Sequence, residues 1–173
     1  MKRTFNLLII LSLFSQISFA QKIETIEEYK VFYDRIVSLV KVVEKDSNSN
    51  PGKPFSEYVK YLDKYGIKII RVVLSNCDCE KVSPQHLYGI SLRFTTNEYA
   101  SFALFYDLLQ PCIYIDFNES LPYEKALSLI RKYEGNFEEE VEEFFSGAII
   151  KSIDFFIPDN VYMDIPANRK LRK

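Results

Sequence analysis

The sequence predicts an α+β domain with an N-terminal helical hairpin, a mainly antiparallel sheet of four to six strands, and two further helices before the last long strand. Three observations predict this class. Apolar residues recur every three or four positions near both ends of the chain, which is typical of helices with one buried face. Between these segments, apolar and polar residues alternate, as in half-buried strands. Helices and strands are grouped, which favours antiparallel pairing.

The first twenty residues have the three parts of a secretory signal peptide. Residues 2–3 are basic, residues 7–14 form an apolar core, and residues 18–20 are a small-x-small exit. The unbroken apolar run is about half of the roughly 20 residues that a membrane-spanning helix needs. We therefore expect cleavage after residue 20 and a secreted or periplasmic protein. An uncleaved anchor is the alternative.

Composition then predicts one mildly acidic domain. Cleavage leaves 153 of the 173 residues and changes the formal net charge from −2 to −4, because Lys2 and Arg3 are lost. A chain of this length can bury one hydrophobic core. The negative charge argues against a nucleic-acid groove. Since no second long apolar run follows, we expect no integral membrane protein after cleavage, but a single domain at 21–167 and a basic disordered tail at 168–173.

Two helices open the predicted domain. Apolar positions form one stripe through residues 26–45, and Thr25 and Glu28 have the spacing of a capping box. A polar segment separates this helix from a second one at 55–65, which Gly66 ends. The short connection and the two apolar faces predict that the helices pack as a hairpin.

Strands are expected next. Residues 67–75 are rich in β-branched side chains, residues 88–95 alternate, and a further strand is expected at 112–117. Residues 99–107 fit both a strand and a helix. We predict a strand there because Thr96-Asn97-Glu98 resembles a hairpin turn.

The C-terminal part returns to helices. We expect helices at 121–134 and 136–146, ended by Gly135 and Gly147. A last long strand is expected at 149–157, with a short one at 161–165.

The cysteines are Cys77, Cys79 and Cys112. Export would place them in oxidising surroundings, where disulfides persist. The preferred hypothesis is a structural bridge from Cys77 or Cys79 to Cys112, which leaves one thiol over. A strained Cys77–Cys79 bridge active in thiol exchange is the alternative.

His86 is the only histidine, which excludes any site that needs two from one chain. A zinc site from the three cysteines and His86, and a cysteine–histidine nucleophilic pair, stay open as alternatives to an ordinary loop residue. The serine-hydrolase elbow, the HExxH motif and phosphate-binding glycine loops are absent from the sequence. We therefore expect no catalytic residue, no metal and no cofactor.

The segment Asp46-Ser47-Asn48-Ser49-Asn50 has oxygen-bearing side chains at positions 1, 3 and 5, and Glu57 at position 12, which resembles a calcium-binding EF-hand loop. However, Pro51 stands where the turn needs glycine. A plain connector between helices is the preferred interpretation.

Two features could form an interaction surface. Tyr61 lies off the apolar side of the second helix. Four glutamates, Glu138, Glu139, Glu142 and Glu143, give the predicted helix at 136–146 a negative face.

We expect a small exported protein that binds a protein partner, in a role of inhibitor, immunity or envelope-assembly type. The alternatives are a thiol- or carboxylate-based enzyme that uses Cys77, Cys79, His86, Asp78 or Glu80, and a small-ligand carrier with an apolar cavity lined by Phe94, Phe102 or Tyr114.

The exported protein is expected to begin at Gln21, because the small-x-small exit directs cleavage after Ala20. N-terminal sequencing of protein recovered from outside the cytosol checks this. A recovered chain that still begins at Met1 contradicts cleavage.

Overall fold

The structure, a computed structural model, describes residues 25–77, 85–96, 100–101, 103 and 108–158. The predicted signal peptide, the predicted strand at 161–165 and the basic tail lie outside these residues. Within them the chain is α+β, as the sequence predicts. The helices are α1 (Ile26–Asp46), α2 (Phe55–Lys64), α3 (Tyr123–Lys132) and α4 (Glu139–Phe145), and the strands are β1 (Arg71–Cys77), β2 (His86–Arg93), β3 (Cys112–Pro122) and β4 (Ile150–Phe156).

The four strands form one sheet in the order β1-β2-β3-β4, and each is antiparallel to its neighbours. This confirms the predicted pairing, with four strands at the low end of the expected range. Directly paired residues share a face of the sheet. One face, here called the core face, packs against the helices. It carries Val72, Leu92, Ile113 and Phe155 in one row and Leu74, Ile90, Ile115 and Ile153 in the next.

The opposite side, here called the open face, carries the alternate residues. Its exposed members include Val73, Tyr114 and Phe156, which keep 37–38% of their surface accessible. The three rows of the open face are Arg71, Arg93, Cys112 and Phe156; Val73, Ser91, Tyr114 and Asp154; and Ser75, Gly89, Asp116 and Ser152.

Helix α1 begins at the predicted capping box. The Thr25 hydroxyl accepts from the Glu28 N–H at 3.2 Å, and the Glu28 carboxylate accepts from the Thr25 N–H at 3.1 Å. The C-terminal half of α1 is buried in the main core through residues such as Val40 and Val43. Its N-terminal half packs through Tyr29 and Tyr33 into a second cluster with Ala103 and Leu108.

Backbone hydrogen bonds join the start of α2 to the start of β4. Gly52 donates to the Ile150 carbonyl at 2.8 Å, and Phe55 donates to the Ala148 carbonyl at 2.9 Å. Phe55 is fully buried, and its ring meets those of Phe117 and Phe145 edge-on at 6.2 Å. Buried faces of α1 and α2 share one core, which confirms the predicted hairpin.

The prediction of a strand at 99–107 is wrong where the structure describes this segment. Ala100, Ser101 and Ala103 are helical, and the Ala100 N–H donates to the Thr96 carbonyl at 3.0 Å. Alanine favours helices. Ala103 is buried against the N-terminal half of α1, and this contact stabilises the helical conformation.

A tight turn after α3 covers part of the β1 edge. Gly135 has φ +82°, and its carbonyl accepts from the Val72 N–H at 2.8 Å. Phe137 then donates to the Ile70 carbonyl at 2.9 Å. A Cβ at Gly135 would lie 3.3 Å from the guanidinium of Arg71. Glycine is therefore required both by the positive φ and by the arginine beside it.

We predict that Tyr58→Phe raises the free energy of unfolding by about 1 kcal/mol, because the Tyr58 hydroxyl is buried without a hydrogen-bond partner. Tyr61→Phe is the matched control. It should lower stability by about 1 kcal/mol, since the Tyr61 hydroxyl donates to the Val43 carbonyl at 3.3 Å. Urea unfolding of both variants measures the difference, and a loss of stability in Tyr58→Phe contradicts the prediction.

Tyr58→Phe should also reduce the loss of stability that the protein undergoes at alkaline pH. Burial, and secondarily Tyr61, raises the pKa of Tyr58 well above 10. Between pH 10 and 12 the unfolded chain loses this proton while the folded chain keeps it. The wild type should therefore lose up to about 1.4 kcal/mol per pH unit through this group. Tyr58→Phe should remove that contribution.

Candidate functional site

Two arginines lie directly opposite each other at one end of the open face. Arg71 on β1 is the register partner of Arg93 on β2. Like charges at such positions destabilise a sheet, because the two Cβ atoms are only about 5 Å apart. The pair lies at the end of the β1–β2 pairing, where Arg71 begins β1 and Arg93 ends β2.

The two arginines line a pocket of about 300 Å³. The chain between β2 and β3 borders it, contributing Ala100, Leu108 and Leu109. Val73 supplies a further apolar surface from the open face. The volume lies at the lower end of the range for small-molecule sites. The pocket thus combines two cationic groups with apolar walls, and among the described residues Gln110 lines it as well.

Neither arginine has an acidic partner among the residues that the structure describes. The ion pair found there joins Lys132 to Glu140 at 2.8 Å, on the helical side. Burial, and next the neighbouring Arg93, lowers the pKa of Arg71. Its Nε is buried and has no hydrogen-bond partner. These observations describe a cationic site in which one donor, the Nε of Arg71, has no hydrogen-bond partner.

Tyr114 extends the site along the open face. Its hydroxyl has a raised pKa, first because of a hydrogen bond with Cys112, while Arg93 acts in the opposite direction. The side chain is 38% exposed. An aromatic ring with a polar end therefore lies beside the arginine pair.

Of the residues expected to form a disulfide, Cys112 and the backbone of Cys77 lie within the described part of the chain. Cys112 is buried and its thiol is free. Cys77 lies six residues along β1 from the row that contains Cys112, roughly 20 Å away along the strand. This distance exceeds the roughly 7 Å that a disulfide allows between Cα atoms, and a bridge from Cys79 to Cys112 stays a prediction. Cys79 lies outside the described residues, and a Cys77–Cys79 bridge stays a prediction.

His86 lies at the opposite end of β2 from the arginine pair. Its Nδ1 is 3.2 Å from the Ser120 hydroxyl, and both side chains are exposed. Because Cys112 pairs with Arg93 at the other end of β2, His86 and Cys112 cannot share a zinc ion or form a nucleophilic pair. In the described ranges, no group of three or more His, Cys, Asp or Glu side chains could hold a metal ion. Asp78 and Glu80 lie outside those ranges.

The connector that resembles a calcium loop has other partners. The Asp46 carboxylate accepts from the Tyr65 hydroxyl at 2.8 Å, and Ser47–Ser49 form a 3-10 turn. Asn50 is buried, and the following residues bond to β4. These contacts favour the connector interpretation.

Tyr61 is half-buried, stacked at 5.9 Å on Tyr58, and hydrogen-bonded to α1. Packing between α1 and α2 therefore explains this residue without a partner. Glu138, Glu139 and Glu143 are exposed and Glu142 is partly so. Their role as an interaction surface stays a prediction.

The residues expected to line an apolar cavity are dispersed. Phe94 is buried in the main core, Tyr114 lies on the open face, and the Phe102 side chain lies outside the described part. Sequence reasoning missed Arg71 and Arg93. A signal was present, because each is a single charge within an otherwise apolar stretch, Ile-Ile-Arg-Val-Val and Ser-Leu-Arg-Phe.

Fold and site together define a small α+β protein with an arginine-lined pocket on the open face of its sheet. No family model matches the sequence, and no curated protein and no solved structure matches the chain. None of the helices in the described ranges has the length and apolar character needed to cross a membrane.

We predict that Arg93→Gln raises the free energy of unfolding by about 0.5 kcal/mol in the absence of ligand, because it removes the like-charge contact with Arg71. The control is Arg131→Gln on α3. Arg131 is exposed in the last turn of this helix, where a cation is neutral or slightly stabilising, so its replacement should not raise the free energy of unfolding. Chemical unfolding at low salt compares the variants. A clear destabilisation by Arg93→Gln would mean that the arginine pair supports the fold.

Proposed function

We propose that this protein is exported and acts by binding an anionic group of a partner protein at the open face of its sheet. The arginine pair carries the proposal, since Arg71 and Arg93 converge on a pocket with no acidic partner in the described chain. Export rests on the pattern of the first twenty residues. Roles of inhibitor, immunity or envelope-assembly type all belong to this class.

A binding role fits the geometry better than the enzyme alternative. His86 lies at one end of β2 and Cys112 pairs with the opposite end, which separates these two groups. Cys77 is the register partner of Leu87, next to His86, and a pair of Cys77 with His86 stays an alternative. The pocket itself offers guanidinium groups, which stay protonated near neutral pH and serve as hydrogen-bond donors rather than as general bases. Recognition of an anion is the chemistry that these groups supply.

The surroundings of the pocket are suited to a protein contact. Tyr114 and Val73 are each 38% exposed beside the arginines. Tyrosine and arginine are enriched in interfaces because both combine apolar area with polar ends. The mature chain has a formal net charge of −4 if residues 1–20 are removed. An acidic partner is therefore not attracted from a distance by the whole protein, and the attraction is local to the pocket.

This function predicts that Tyr114→Glu abolishes capture of a partner. The introduced carboxylate would lie beside Arg93 and compete with the partner's anionic group. Tyr88→Glu is the matched control, because Tyr88 is also 38% exposed but lies near His86. The mature wild-type protein and both variants would be immobilised and exposed to the proteins of the compartment that receives it.

The expected result is one stoichiometric protein held by the wild type and by Tyr88→Glu but not by Tyr114→Glu. Capture should weaken as salt is added. Equal capture by all three proteins, or none by the wild type, counts against the open face as the binding surface.

A further inference from the structure

The pocket beside the arginine pair has a composition that selects among anions. We propose that it binds a free carboxylate attached to an apolar body. This inference rests on the proposed function in that it names the group recognised at the same site. It concerns the pocket alone and can be tested without the partner.

The first argument comes from the arrangement of the donors. Arg71 and Arg93 are paired across adjacent antiparallel strands, so both guanidinium groups start from neighbouring positions on one face. A guanidinium presents a planar fork of N–H donors that matches the two oxygens of a carboxylate. The Arg71 Nε is buried and unpartnered. A carboxylate bound in the pocket would place a negative charge between the two positive ones.

The second argument comes from the walls. Val73, Leu108 and Leu109 line the same pocket, and Leu109 is 57% exposed. A bare inorganic anion would leave these apolar surfaces in contact with water. A ligand with a hydrocarbon portion next to its carboxylate would cover them, which adds the hydrophobic contribution to the ionic one.

The third argument comes from size. A pocket of about 300 Å³ accommodates a short organic acid or one terminal residue, rather than an extended polymer. The recognised chemistry can therefore come from two sources. One is a small aliphatic acid, and the other is the C-terminal carboxylate of a polypeptide that ends in an apolar residue.

The test is an NMR titration of the mature protein with five probes: hexanoate, hexanamide, inorganic phosphate, and a short peptide ending in leucine, once as the free acid and once as the amide. We expect hexanoate and the free-acid peptide to shift the signals of Val73 and Leu108, and both amides to leave them unchanged. Binding of the amides as tightly as the acids, tighter binding of phosphate, or no binding of either acid would overturn the proposal.

Variants connect the binding to the arginines. Arg93→Gln should weaken binding of hexanoate at least about 10-fold, because it removes one charged fork. Arg93→Lys keeps the charge but loses the fork, and should give an intermediate loss. Arg131→Gln should bind like the wild type. Thermal unfolding of each variant establishes that it is folded, and equal affinity in Arg93→Gln would contradict the assignment.

The free-acid peptide distinguishes the two sources. Affinity at least about 10-fold higher than that of hexanoate indicates a polypeptide terminus, and equal affinity indicates a small acid. Failure here is also separable from failure of the proposed function. Acid binding without any captured partner supports the pocket and rejects the protein-binding role, whereas a captured partner that depends on Tyr114 without acid binding rejects only the carboxylate assignment.

Discussion

The register of β2 with its two neighbours is the constraint on which both the core and the site depend. With Leu92 paired to Val72 and Ile113, three fully buried side chains meet the helices. A shift of one residue would exchange the faces of the strand. Arg93 would then enter the apolar core at a cost of several kcal/mol, roughly what an unpaired buried charge requires. The burial that holds the core in register is thus what places the arginines together on the open face.

The helical layer influences the site through one turn. The turn at Gly135 joins α3 to the segment that bonds with the β1 edge, and it leaves the guanidinium of Arg71 close to the glycine backbone. A side chain at this position would displace the arginine as well as strain the turn. The placement of Arg71 therefore depends on the chain after α3 as well as on its own strand.

Local signals in the sequence predicted the elements that local interactions decide. The capping box at Thr25 and the apolar stripe of α1 were sufficient to locate that helix. The helical residues Ala100, Ser101 and Ala103 include one, Ala103, that is buried against α1, and periodicity alone could not show this contact. Cys112 illustrates the same limit, because a disulfide depends on strand register, and the spacing of cysteines along a chain contains no register. The arginine pair was missed for this reason too, since its two members are 22 positions apart and only β-pairing brings them together.

The arginine pair destabilises the fold in a way that a bound carboxylate would offset. Two adjacent cations repel each other, and the Nε of Arg71 is a buried donor without a hydrogen-bond partner. A carboxylate between them would offset the repulsion by forming two charge-assisted contacts. The guanidinium of Arg71 lies beside Gly135, and its side chain is only partly exposed, so its charge is not fully solvated. The interaction that destabilises the free protein is therefore the one that would make its binding selective for a carboxylate.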